Sequence, residues 1–425
     1  MPSPRRAAIV GGNRIPFARQ GGAYAKASNQ DMLTAALDGL VSRFGLQDAR
    51  LGDVAAGAVL KHARDFNLTR EAVLGSGLSP WTPAWDLQQA CATGLEATIA
   101  IANKVALGQI ESGIAGGVDT TSDAPIELND DLRRILMDVN NAKSPAEQAK
   151  QLARLRPGHI VPHIPKNEEP RTGLSMGEHA SITAQEWGVT REEQDEFTVA
   201  SHHNLADAYE RGFFDDLLTP HLGLERDENL RPDTSVEKLA KLNTVFGDGP
   251  DATMTAGNST PLSDGAAVAL LASDEWAEEH DLPVLAHFVD AETAAVDYVH
   301  EGEGLLMAPA YAVPRMLERN DLTLQDFDLY EIHEAFASTV LATLKAWEDP
   351  AFCKERLGRD EPLGAIDRSK LNVAGSSLAT GHPFAATGGR IVATAAKLLD
   401  ERGGGRCLIS ICAAGGNGAV AILER

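Results

Sequence analysis

One α/β unit occurs twice in this chain, and that repetition constrains the fold more than any single motif does. Residues 31–44 have the periodicity of an amphipathic helix, with Asp31 or Asn29 as its cap and Gly45 as its stop. Leu46-Gln47-Asp48 follows, a strand is expected over 54–60, and Thr93-Gly94 opens another helix before a strand over 112–118. The order returns near the C-terminus. A helix over 310–319 precedes Leu324-Gln325-Asp326, a strand is expected over 327–332, and Thr387-Gly388 opens a helix that leads to a strand over 406–412. The second copy is longer, and its excess falls in the charged, turn-rich residues 345–370. Alternating strands and helices of this kind build a sheet with covering helices. A short strand, Ala7-Ala8-Ile9-Val10, opens the first copy and is expected to end at Gly11-Gly12.

The most reactive stretch lies inside the first copy. Cys91 stands in Gln89-Ala90-Cys91-Ala92-Thr93-Gly94, just ahead of residues 95–107, whose only charges are Glu96 and Lys104. A helix so nearly apolar all round should be buried. Its N-terminus aims unpaired N–H groups and a partial positive charge at what precedes it, which favours a thiolate. The same stretch also reads as a small buried hydrophobe, the commoner fate of a free cysteine.

Three further groups sit where strands and helices end. His333 closes a strand in Tyr330-Glu331-Ile332-His333-Glu334-Ala335-Phe336. His382 lies in Gly381-His382-Pro383, at the second copy's equivalent of the Cys91 turn. If the two helix starts face each other, Cys91 and His382 form a thiolate–imidazolium pair. Cys412 ends an apolar strand, followed by a glycine turn with an Asn417-Gly418 step and a return strand over 419–423. Two cysteines and two histidines can bind zinc, but no short ligand spacing supports it, and no metal is expected.

With 38 basic against 61 acidic residues, the net charge of -23 argues against nucleic acid. Four scattered cysteines do not make a disulfide framework and point to a reducing, cytoplasmic setting. The basic start at residues 2–6 leads into no signal-peptide pattern, and no apolar run reaches membrane-spanning length. Residues 123–255 are charged and proline-containing, with a few short helices such as 191–211. They are expected to fold over the core as an insertion. Within them, 130–165 forms an apolar hairpin with Arg133, Arg134, Lys143, Lys150, Arg154 and Arg156, suited to a partner subunit or a peripheral membrane contact, or to an ordinary snorkelling surface.

His333-Glu334-Ala335-Phe336, the run from Asn372-Val373-Ala374-Gly375 through Gly381-His382-Pro383 to Thr387-Gly388, Asn258-Ser259-Thr260 and Asp264-Gly265-Ala266-Ala267, and Cys412 with its glycines together resemble the thiolase family over essentially the whole chain. Phe17-Ala18-Arg19-Gln20 and Phe384-Ala385-Ala386 bring it nearest to the β-subunit branch of the fatty-acid oxidation multienzyme complex. The resemblance implies a duplicated core of two βαβαβαββ halves in five layers, αβαβα. The N-terminal half would be residues 1–122 with 256–281, the inserted loop domain 123–255, and the C-terminal half 282–425.

It also implies thiolytic cleavage of a 3-ketoacyl-CoA by CoA in fatty-acid β-oxidation, with CoA as co-substrate and no cofactor. Cys91 would be acylated, His382 would move its proton, and Cys412 would exchange the α-proton of the acetyl unit. His333 would hold a thioester oxygen with His382, and the N–H groups of Cys91 and Ala414 would form a second oxyanion hole. Ser259 and Thr260 match positions at the pantetheine arm, and Ala335 and Phe336 positions of the acyl pocket. Ser376 replaces a usual glycine, Thr93 a frequent serine and Ala414 a glycine. The partners implied are a homodimer or dimer of dimers and an α subunit with hydratase and dehydrogenase activities. An acetoacetyl-CoA thiolase working in the condensation direction, a ketoacyl synthase and a non-catalytic scaffold subunit are the alternatives. Cys412 speaks against the synthase, and Cys91 with His382 against the scaffold.

Overall fold

The structure, a computed structural model, describes residues 5–425 except 248 and 250; residues 2–4 of the basic start and two positions of the insertion lie outside the described residues. The first half comprises β1 (Ala7–Arg14), α1 (Asn29–Phe44), β2 (Asp53–Ala56), α2 (Leu68–Gly75), β3 (Ala84–Asp86), α3 (Thr93–Ala106), β4 (Ser112–Asp119) and β5 (Ser263–Ala272). Between β4 and β5 comes the insertion, with α4 (Asp130–Asn141), α5 (Pro145–Leu152), α6 (Met176–Glu186) and α7 (Arg191–Glu210). The second half comprises β6 (Ala286–Ala295), α8 (Ala308–Arg319), β7 (Leu329–Ile332), α9 (Ala337–Glu348), α10 (Ala386–Arg402), β8 (Arg406–Ala413) and β9 (Asn417–Glu424).

The pairing pattern proves the repeat. In each half the opening strand lies antiparallel to the last, β1 to β5 and β6 to β9. The last lies antiparallel to the one before it, β5 to β4 and β9 to β8. Parallel neighbours come next, β2 beside β4 and β7 beside β8. The outermost place belongs to β3 in the first half and to Leu371, bridged in parallel to Tyr330, in the second. Parallel neighbours need a crossover, and helices supply it. Three residue pairs between β1 and β6, from Ala7 to Ile9, join the halves into one ladder.

Strand residues alternate in direction, and this sorts the core into layers. Cys407, Ile409 and Ile411 of β8 meet Ala269 and Leu271 of β5 in a cluster built around α3 and α10. Leu408 turns the other way, towards α8 and α9. Val268 and Leu270 turn towards α1 and α2. Helix, sheet, paired helices, sheet and helix thus make the five layers. The apolar surface of α3 is explained by its place in the middle layer, where it has a sheet on each side.

The two middle helices touch at their starts through glycine. A Cβ on Gly388 would lie 2.0 Å from the Leu95 nitrogen and 2.5 Å from the Gly94 carbonyl carbon. One on Gly94 would lie 2.6 Å from the Ala385 oxygen. Only backbone fits in that gap.

Several boundaries differ from the sequence expectation, each for a local reason. β1 does not stop at Gly11-Gly12; it runs through a bulge there to Arg14, because Phe44 and Ala393 occupy the space that side chains would need. The cap of α1 is Ser28, in a reciprocal capping box with Asp31, and Gly45 ends the helix at φ 64° as expected. β2 stops at Ala56, short of residue 60, because the N–H groups of Val59 and Leu60 turn to the Asp119 carboxylate. Asn417 and Gly418 are not the turn after Cys412. They already pair with Ala413 and Cys412, and Gly415 and Gly416, both at positive φ, make the turn. α7 runs over Arg191–Glu210, within one residue of the expected 191–211.

The glycine contact predicts a clear stability difference. Gly388→Ala should cost about 1–3 kcal/mol by overpacking, seen as a lowered denaturation midpoint. Gly158→Ala, where a Cβ meets nothing within 4 Å, should change the midpoint little.

Candidate active site

The Gly94–Gly388 contact sets the loops before α3 and α10 side by side. His382 Nε2 lies 3.1 Å from the Cys91 sulfur. The His333 ring centroid is 4.1 Å from that of His382. A ring nitrogen of each histidine and the Cys91 sulfur lie within 4.8 Å of one another. Cys412 belongs to the same site: the Cys91 sulfur sits close enough to raise its pKa, and Cys412 packs with Phe336, Met254, Leu305 and Leu306. The four residues singled out in the sequence therefore converge.

Each is held by backbone geometry. His333 stands one residue beyond β7, its N–H bonded to the Ser410 oxygen at 2.8 Å. The backbone N–H groups of Ala414 and of Cys91 itself act on the Cys91 sulfur and favour its thiolate. Glu169, from the insertion, accepts from Gly415 N–H at 2.7 Å and from the Tyr298 hydroxyl at 2.9 Å, which anchors the turn carrying Ala414.

Ser259, Thr260, Ala335 and Phe336 come together through a short backbone ladder. Ser259 bridges Phe336, Thr260 N–H donates to the Ala335 oxygen at 3.1 Å, and Ala337 N–H to the Asn258 oxygen at 3.0 Å. The Thr260 hydroxyl is engaged with the Glu334 carbonyl, whereas the buried Ser259 hydroxyl has no protein partner. Phe336 and Ala335 line the apolar side of Cys412, where Met176, Phe246 and Tyr298 complete the wall.

The electrostatics correct one expectation. Burial works against the thiolate–imidazolium pair expected of Cys91 and His382 at rest. Burial pushes the Cys91 thiol up to about 12, against the helping N–H groups and with Asp119 adding to the rise. Burial, aided by Arg390, holds the His382 imidazole down to about 3. Desolvation outweighs the helix terminus, so a neutral thiol faces a neutral imidazole. Burial also raises the Cys412 thiol and keeps His333 neutral.

The sequence reading missed several supporting groups. Asp119 accepts N–H bonds from Val59, Leu60 and Ala385, tying the first copy to the loop after His382, and burial lifts its carboxyl to about 7. Glu334 accepts from Ser201 of α7, from Asn372 and from Leu378 N–H. Asn372 also spans both backbone groups of Ile332. Gly375, at φ 74°, lets that loop pass under Leu205, whose Cβ would lie 2.6 Å from an added Cβ. Glu334, Asn372 and Gly375 stand in motifs visible in the sequence and Asp119 in none, and no motif gave their contacts.

Because one group of the pair lies far above neutral pH and the other far below, neither should titrate between about pH 5 and 9. The difference ultraviolet spectrum of wild type minus Cys91→Ala should show no thiolate band in that range. A band present at neutral pH would mean that the pair is ionised at rest.

Comparison with known proteins agrees with this geometry. The thiolase N-terminal domain matches residues 7–275 and the thiolase C-terminal domain residues 282–425. The 3-ketoacyl-CoA thiolase of Yersinia pestis (strain Pestoides F) is 38% identical over 99% of this chain and 97% of its own length. The acetyl-CoA acetyltransferase of Bacillus anthracis superposes with a TM-score of 0.82 at 30% identity, covering 100% of both chains. Human mitochondrial 3-ketoacyl-CoA thiolase in complex with CoA superposes with a TM-score of 0.80 at 26% identity, over 99% of this chain and 98% of that one. With both family domains matched in order and a relative aligned from end to end, the chain belongs to the thiolase family.

Proposed function

We propose that this chain is a 3-ketoacyl-CoA thiolase of fatty-acid β-oxidation that cleaves its substrate with CoA through an acyl-enzyme on Cys91. The observation that carries the reading is the 3.1 Å contact of the Cys91 sulfur with His382 Nε2, with the Ala414 and Cys91 N–H groups directed at the same sulfur. CoA serves as co-substrate, and the chemistry needs no cofactor.

His382 takes the Cys91 proton as the sulfur attacks the keto carbon. The C2–C3 bond breaks, and its electrons form the enolate of acetyl-CoA. A fixed donor at the enolate oxygen is worth about 3 kcal/mol of barrier, and His333 is placed for it. Cys412 gives the enolate carbon a proton, and the proton held by His382 restores the Cys412 thiol. In the second half-reaction CoA loses its thiol proton to His382 and attacks the acyl group. The carbonyl oxygen is then held by the N–H groups of Cys91 and Ala414, and Cys91 recovers its proton as it leaves.

The apolar wall of Phe336, Met254, Leu305 and Leu306 supports an acyl chain beyond acetoacetyl, which favours degradation over an acetoacetyl-CoA thiolase running in the condensation direction. The architecture supports a division into 1–122 with 256–281, 123–255, and 282–425. Among the described residues no helix is long and apolar enough to cross a membrane. The proposal includes a cytoplasmic location and a homodimer or dimer of dimers.

Docking of an α subunit is supported by the insertion. Ile126, Met137, Ile160, Val161 and Ile164 are all more than half exposed there. Arg133, Arg134 and Arg154 are paired with Asp130, Asp131 and Asp138. With so much of its charge neutralised locally, this surface suits an apolar protein partner better than an anionic membrane.

Cys91→Ala should abolish the covalent acyl adduct seen by mass spectrometry with a 3-ketoacyl-CoA, while Cys412→Ala should still acylate but lose exchange of the acetyl α-protons with solvent; an adduct on the Cys91 variant would refute the assignment. Thiolysis rates across acyl lengths should exceed those for acetoacetyl-CoA as the chain lengthens. Deleting 130–165 should leave thiolysis intact and remove co-purification of the partner; equal recovery with both forms would exclude this surface.

A further inference from the structure

His333 can serve as an oxyanion donor only if its free ring nitrogen carries a hydrogen. A neutral imidazole has one N–H and one bare nitrogen, and the partner of one decides the other. His333 Nδ1 lies 2.8 Å from the Ser377 Oγ, and Nε2 is buried with no partner among the described residues. The direction of the Ser377 bond is therefore decisive.

Arg390 of α10 sets that direction. Its Nη2 lies 3.0 Å from the Ser377 Oγ and 3.1 Å from the Ser376 Oγ. A guanidinium only donates. Burial lowers Arg390 to about 10, which leaves it charged at neutral pH, among Glu331 and Glu334. Ser377 Oγ thus accepts from Arg390, and its single hydrogen has one acceptor among the described residues, His333 Nδ1. The hydrogen of the imidazole must then sit on Nε2.

His382 is in the opposite state. Its Nε2 accepts from the Cys91 thiol, so Nδ1 carries the hydrogen and donates to the Thr387 Oγ1 at 2.6 Å. Two imidazoles 4.1 Å apart are held as opposite tautomers, one a base and one a donor.

We propose that Arg390 and Ser377 are positioning residues whose hydrogen-bond chain fixes His333 as the Nε2–H tautomer. The inference rests on the proposed role of His333 as an oxyanion donor. It also explains why Cys91, His333 and His382 act as proton groups although their spacing resembles a ligand set: a protonated Nε2 offers no lone pair to a metal ion.

The test uses full-length enzyme labelled with nitrogen-15 histidine. Among the signals of the twelve histidines, wild type should show an Nε2–H imidazole that is lost in His333→Ala and an Nδ1–H imidazole that is lost in His382→Ala. Ser377→Ala and Arg390→Gln should each shift the His333 signal away from the Nε2–H form. Thiolysis should fall by about 10- to 100-fold, less than the roughly 100- to 1000-fold for outright loss of an oxyanion donor, because the imidazole stays in place. In Ser377→Ala, alkylation of Cys91 by iodoacetamide should stay within about twofold of wild type, because neither His382 nor the Arg390 charge that acts on it is changed. Ser377→Thr, which keeps the hydroxyl, should restore signal and rate. An Nδ1–H form of His333 in wild type, or an unshifted signal and full rate in both variants, would overturn the relay. A fully active His333→Ala with the relay signals intact would instead overturn the role of His333.

Discussion

Everything at the active site depends on a place where two helices have no side chains between them. Gly94 and Gly388 let the starts of α3 and α10 meet backbone to backbone. Cys91 lies just before one helix and His382 just before the other, so the contact brings them within 3.1 Å across a sequence separation of 291. The duplicated sheet makes the meeting geometrically natural. Each half delivers its third helix to the same middle layer, and each helix is preceded by a loop that carries a functional group.

Convergence alone does not set the chemistry. Burial of the groups gathered at the middle layer also sets which protonation states are favoured. A thiol raised to about 12 beside an imidazole lowered to about 3 keeps the pair uncharged until a substrate supplies an oxygen to hold the developing charge. The N–H groups of Cys91 and Ala414 favour the thiolate without overcoming burial; in the oxyanion-hole role proposed for them, a fixed dipole in a low-dielectric site acts most strongly. The insertion contributes more than a cover: Glu169 fixes the turn that carries Ala414, and Ser201 of α7 bonds the carboxylate of Glu334 behind His333.

Much of this was legible in residue order. The repeat, the helix after Cys91, the strand before Cys412 and the stop at Gly45 all follow from local patterns. The misplaced details share one cause, which is that backbone groups chose partners distant in sequence. Val59 and Leu60 left a strand for Asp119, and Gly11 and Gly12 kept theirs because Phe44 and Ala393 needed the room. The Asn417-Gly418 step looked like a turn, yet it pairs in a ladder with Ala413 and Cys412.

Residue order settled the architecture and the family and pointed to the four groups proposed to carry the chemistry, because periodicity and motif spacing are one-dimensional properties. It could not settle the ionisation of Cys91 and His382, nor which nitrogen of His333 bears its hydrogen. Ionisation follows from the number of atoms packed around a group. Tautomers follow from the direction of a hydrogen bond, which here runs from Arg390 through Ser377 to a ring on another strand. Both are set only when the halves close around α3 and α10.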